Sequence, residues 1–88
     1  MTTSKEPVEA RRKRLLWRAS HRGTREMDLL LGGFAKSRME RLSETELDEL
    51  EAIVDLPDHE LTGWILGDVA VPRRQATATL KALLTYRP

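Results

Sequence analysis

Apolar residues recur every three to four positions along almost the whole of this chain, and that period limits the fold more than any other feature. Met27, Leu30, Leu31 and Phe34 keep i, i+3, i+4, i+7 spacing, which places them on one face of a helix. Leu47, Leu50, Ile53 and Val54 form a second such stripe, and Leu61, Trp64 and Ile65 a third. Val8, Leu15, Leu16 and Ala19 lie near one face of an earlier helix that starts around Pro7. Ala76, Leu80, Leu83 and Leu84 line one side of a last helix opened by Pro72. No segment of strand length alternates polar and β-branched residues. Asp68-Val69-Ala70-Val71 is too short and reads as a connector.

Local chemistry punctuates these stripes. Thr24 is the expected N-cap of the second helix, with Glu26 in its first turn where the dipole favours negative charge. Ser43 and Glu46 have the spacing of a capping box at the start of the third. Pro57 suits the first turn of the fourth, Asp58 and Glu60 follow it, and Gly67 is a natural stop. Gly32-Gly33 costs about 1 kcal/mol per residue relative to alanine inside a helix, so a kink or a close approach is expected there. Trp64, on an apolar stripe, is expected in the core. The pattern predicts an all-α fold, a compact antiparallel bundle of about five short helices. Residues 1–6 are expected to be disordered, and 7–88 to form one helical domain.

An 88-residue chain has a thin core and little room for an internal cleft, which argues against an enzyme. There is no cysteine, so disulfides and thiolate sites are excluded. No apolar run approaches the roughly 20 residues of a membrane span, so no membrane insertion is expected. No signal-like apolar core opens the chain, Glu6 and Glu9 count against a transit peptide, and a cytoplasmic location is expected. The two histidines, His21 and His59, are far apart and lack metal-ligand spacing. An acidic helix start accounts for Asp55, Asp58 and His59 without a metal. Neither a nucleophile elbow nor a phosphate-binding glycine loop is present, and no catalytic residue is assigned.

Charge is segregated. Arg11, Arg12, Lys13, Arg14, Arg18, Arg22 and Arg25 make the first third basic. Glu44, Glu46, Asp48, Glu49, Glu51, Asp55, Asp58 and Glu60 make the middle acidic, although the formal net charge is only +1. The run is either the solvated faces of two helices or a bipolar surface that orients the chain on a partner. Between the first two helices, His21 to Asp28 packs arginines, a glycine and carboxylates into a short polar turn. Arg22, Gly23, Arg25 and Glu26 of this loop, with Arg18 shortly before it, are the candidate partner-binding residues. A glycine there leaves no side chain between the backbone and a visitor.

Arg22-Gly23-Thr24-Arg25-Glu26 resembles the R-G-x-x-E signature of the small bacterial FAD assembly factors, the SdhE family, related to mitochondrial succinate dehydrogenase assembly factor 2. Leu42-Ser43-x-x-Glu46 and Asp55-Leu56-Pro57-Asp58, followed by Leu61 and Trp64-Ile65-Leu66, extend the resemblance over most of the chain. Two departures stand out: Thr24, where the family usually has methionine, and Gly32-Gly33 in the second helix. The resemblance implies a five-helix chaperone that binds the flavoprotein subunit of succinate dehydrogenase, and in some bacteria fumarate reductase. It implies that FAD becomes covalently attached to a client histidine, with no cofactor held stably by the chaperone. Arg22, Gly23 and Glu26 would then face the client. A helix-start carboxylate paired with Arg22 or Arg25 is the plainer account of Glu26. Two other classes stay open: a regulatory protein-binding module such as an antitoxin, and a small nucleic-acid-binding protein using Arg11–Arg18. The acidic middle and low net charge weigh against the latter.

Overall fold

In the computed structural model, which describes residues 6–88, five helices enclose one core. They are α1 (Val8–Ser20), α2 (Arg25–Arg38), α3 (Glu44–Val54), α4 (Asp58–Leu66) and α5 (Ala78–Thr85). Single 3₁₀ turns follow α2 at Met39–Arg41 and precede α5 at Arg73–Gln75. The expected all-α architecture is what forms, with a radius of gyration of 12.7 Å. Of the segment expected to be disordered, residues 1–5 lie outside the described residues. Glu6 accepts from Arg14 at 2.9 Å.

The caps act where the sequence places them. Thr24 Oγ1 accepts from the Met27 amide at 3.3 Å. Ser43 and Glu46 close a full capping box. Gly67 ends α4 in the left-handed region at φ 80°, beyond which the Asp68 and Val69 amides donate back to the Gly63 carbonyl. The fifth helix departs from expectation. Pro72 opens only the 3₁₀ turn, and Ala76 lies outside α5. Thr77 is the true N-cap, accepting from the Leu80 amide, and Glu49 of α3 accepts from the Thr79 amide and hydroxyl. A carboxylate from across the core thus sits at the positive end of α5.

Leu15, Leu31, Phe34, Leu47, Leu50, Leu61, Leu80 and Leu83 are the largest fully buried side chains, and Trp64 is 5% exposed. Val8 is not part of this core; at 39% exposure it stands at the open first turn of α1. Helices α1 and α2 run antiparallel, with Arg12 against the Met39 and Leu42 carbonyls at one end and Ser20 against Gly32 toward the other. Close approach, the second of the two expected outcomes, explains the glycine pair. A Cβ on Gly32 would lie 2.8 Å from Ser20 Oγ and 3.0 Å from Ser20 Cα, and one on Gly33 would lie 2.9 Å from the Tyr86 hydroxyl.

The segregated charges face each other across the α1–α3 contact. Arg11 pairs with Asp48 at 2.6 Å and Glu51 at 2.9 Å, Arg14 with Glu51 at 3.3 Å, and Arg18 with Asp55 at 2.7 Å. The acidic run is therefore largely the counter-charge of the basic helix. Hydrogen bonding from Arg11, helped by Arg14, holds the Glu51 carboxyl below its ordinary pKa against the opposing effect of burial.

Two predictions arise here. Gly32→Ala should destabilise the fold by about 1–3 kcal/mol, since Ser20 backbone cannot yield, despite alanine's better helix propensity. Gly33→Ala should come close to neutral, because only the end of the Tyr86 side chain must move; urea denaturation of both variants checks the contrast. Glu51 ionises more readily folded than unfolded, so its contribution is present above the unfolded value of about 4.3 and is lost as pH falls through the lower folded value. Glu51→Gln should therefore lower stability at neutral pH and flatten the fall in stability as pH drops below the unfolded value of about 4.3, read from thermal melts.

Candidate functional site

Four residues, His21 to Thr24, connect α1 to α2, and their course follows from the helix packing. Ser20 lies against Gly32, not against the start of α2, so the first turns of α2 run past the end of α1. The connector travels alongside those turns. Asp28, in the first turn, reaches back: its Oδ1 accepts from the Arg22 amide at 2.5 Å and from the Gly23 amide at 3.3 Å. Gly23 has φ +108°, a conformation that side chains rarely adopt, and a Cβ there would meet nothing within 4 Å. The constraint on Gly23 inside this chain is thus its backbone angle, and the space in front of it is open.

Arg22 lies away from the open surface on which it was expected. Its side chain is 8% exposed and turns into the corner between α3 and α4. Nε donates to Asp58 Oδ1 at 2.8 Å, Nη2 to the Leu56 carbonyl at 2.6 Å, and Nη1 to the Val54 carbonyl. Val54 ends α3, Leu56 lies in the connector and Asp58 begins α4, so one guanidinium satisfies a carbonyl at one helix end, a carbonyl of the turn and a carboxylate at the next helix start. Arg22 is a brace behind the loop.

The other candidates divide. Arg25 and Glu26 are exposed at the mouth of α2, and neither makes a hydrogen bond or ion pair among the described residues. Glu26 is therefore not paired with Arg22 or Arg25. Leu29, one turn on, is 58% exposed and extends the same outward face. Arg18 is committed to Asp55. The arginines of the basic helix considered for nucleic acid are likewise occupied, Arg11, Arg14 and Arg18 on carboxylates and Arg12 on carbonyls, and Lys13 alone of its cations is exposed without a partner among the described residues. Asp55 and Asp58, weighed as metal ligands with His59, are each spent on an arginine.

Sequence reasoning missed three contributors. Asp28 organises the loop, but its partners precede it across a turn that no pattern announces. Trp17 and His21 stack beside the loop with ring centroids 4.1 Å apart. A signal for Trp17 existed: it falls roughly 200° around α1 from Leu15, away from the core.

Residues 13–87 match a family described as the flavinator of succinate dehydrogenase. A protein named FAD assembly factor SdhE, from Acetobacter pasteurianus, is 40% identical over 81 residues, covering 92% of this chain and 74% of its own length. The mitochondrial succinate dehydrogenase assembly factor 2 of Dictyostelium discoideum is 38% identical over 74 residues, 84% of this chain and 52% of that protein. Its namesake in Saccharomyces cerevisiae is 36% identical over 59 residues, 67% of this chain and 36% of that protein. The chain thus spans about half the length of the first of these mitochondrial proteins and about a third of the second.

Brace and surface should separate by mutation. Arg22→Ala leaves two carbonyls and Asp58 without their donor and should cost about 2–3 kcal/mol, the modest figure reflecting partial hydration of Asp58. Glu26→Ala should change stability by less than about 0.5 kcal/mol. Chemical denaturation of the two variants distinguishes these roles.

Proposed function

This chain belongs to the family of flavinators of succinate dehydrogenase, and from that membership we propose that it binds the flavoprotein subunit of that enzyme and promotes covalent attachment of FAD to it. No helix among the described residues is long and apolar enough to cross a membrane, which suits a partner met in aqueous solution. The observation that carries the proposal is the loop at the mouth of α2, within a chain matched to the family over nearly its whole length. Its backbone is held by Asp28 and braced from behind by Arg22, while Gly23, Arg25 and Glu26 face outward.

The bond-forming groups, a histidine imidazole and the flavin, both belong to the client. The chaperone acts by binding. It favours the client conformation in which histidine and flavin stand in near-attack geometry, and proximity of that kind is a large lever on rate. Gly23 admits close approach of a client backbone. Glu26 and Arg25, free of internal partners, supply charge for cross-interface pairs. Arg22 contributes by holding the loop, and the charge it would otherwise offer is already spent on Asp58.

Co-expression with a succinate dehydrogenase flavoprotein subunit should raise flavin fluorescence of the subunit band on a denaturing gel. No increase over the subunit alone refutes the proposal. Gly23→Arg should abolish complex formation in a pull-down while far-UV circular dichroism keeps its helical signal. Loss of that signal would assign Gly23 a structural role only.

A further inference from the structure

Of four aromatic residues in the chain, one is left in water: Trp17 is 63% exposed, whereas Trp64 and Phe34 are buried and Tyr86 packs edge-on against Phe34. The Trp17 indole is held in place. The His21 ring lies parallel to it within 13°, and His21 Nδ1 donates to the Trp17 carbonyl at 2.7 Å. The end of α1 and its C-cap thus carry an orientated aromatic stack, which lowers the ordering cost of binding.

The stack forms one wall of a groove of about 350 Å³ whose lining also includes Arg18, Arg22, Val54, Leu56 and Asp58. Two features define what this groove accepts. Its arginines are already neutralised, Arg18 by Asp55 and Arg22 by Asp58, so it offers little net charge to an ion. It is also continuous with the docking loop. His21 is followed directly by Arg22 and then Gly23, and Arg22 and Asp58, the brace of the loop, also line the groove.

We propose that the Trp17–His21 stack is a second anchor for the same flavoprotein subunit, taking an uncharged side chain of that subunit into the groove between the indole and the α3–α4 corner. The anchor rests on the docking function proposed above. It divides recognition in two. Arg25 and Glu26 supply charge at the exposed mouth of α2, and Trp17 supplies the desolvated contact, the type of residue that dominates interface energetics. Removing Trp17 leaves the fold intact, because the indole buries little within the chain.

The test uses the full chain and the isolated flavoprotein subunit, with binding measured by calorimetry at low and high salt. Trp17→Ala should weaken binding roughly 30-fold at both salt concentrations, and Trp17→Phe should restore most of the loss. Glu26→Ala should show a loss that shrinks as salt rises. With 5-fluorotryptophan incorporated, the Trp17 fluorine resonance, assigned through Trp17→Phe, should shift on complex formation while that of Trp64 stays in place. If wild-type chain binds and Gly23→Arg does not, but Trp17→Ala binds like wild type, the anchor is refuted and the docking function stands. If wild-type chain does not bind the subunit, both fall. If sedimentation shows self-association that Trp17→Ala abolishes, the stack is covered by a second copy, and the anchor is again refuted.

Discussion

A single guanidinium occupies the corner on which the arrangement of this small protein turns. Where α3 ends, its last carbonyls have no amide to accept from, and where α4 begins its positive end favours a carboxylate. Arg22 meets both conditions at once, donating to Val54, Leu56 and Asp58. The residue reaches this corner from the α1–α2 connector, more than thirty positions earlier in the chain. The sharp turn between α3 and α4 is therefore tied to the loop that precedes α2. An arginine suits the position because its planar fork donates in several directions without giving up its charge. Lysine would bring a point charge on a flexible stem, and one ammonium cannot span these three acceptors with the same geometry.

The same economy governs the remaining charge. Arginines of α1 meet carboxylates of α3, so a sequence that looks bipolar folds into a surface that is locally neutral along this seam. These pairs are partly exposed, and each contributes modestly to stability. Their larger effect is on recognition. With Arg11, Arg14, Arg18 and Arg22 committed internally, a polyanion finds no free arginine row on α1, and Arg25 and Glu26 are among the charges still available to a partner.

Local chemistry was legible in the sequence. Thr24, the Ser43–Glu46 box and Gly67 each act through neighbours three or four residues away, so their spacing alone identified them. The apolar stripes of α2, α3 and α4 were legible for the same reason. What sequence reasoning lost was long-range. Pro72 looked like a helix start because proline fits a first turn, and nothing local told that a 3₁₀ turn would intervene and that Thr77, backed by Glu49 of α3, would cap α5. Gly32-Gly33 could be read as a kink or as a close approach, and only the position of Ser20 decided between them. In the site, Gly23 and Glu26 lie where the motif put them, on the surface. Arg22 does not, because its partners are distant in the chain and a motif records that a residue is needed without recording what it touches.

The division between brace and surface bears on how so small a protein could influence a covalent reaction. Its core is filled and its grooves are shallow, so assistance must come from binding one state of a client better than another. Selective binding of that kind is weakened when the binding loop must be ordered on contact, since part of the interaction energy then offsets lost conformational freedom. Here that ordering is completed in advance. Asp28 fixes the amides of Arg22 and Gly23, the positive φ of Gly23 sets the turn, and the Arg22 brace ties the loop to the α3–α4 corner. Arginine and glycine of the motif thus set the shape of the loop, and Glu26 is left exposed on it for the contact proposed above. The interaction energy of an outward face built this way remains available for discriminating between client conformations, which is the property a promoter of flavin attachment needs.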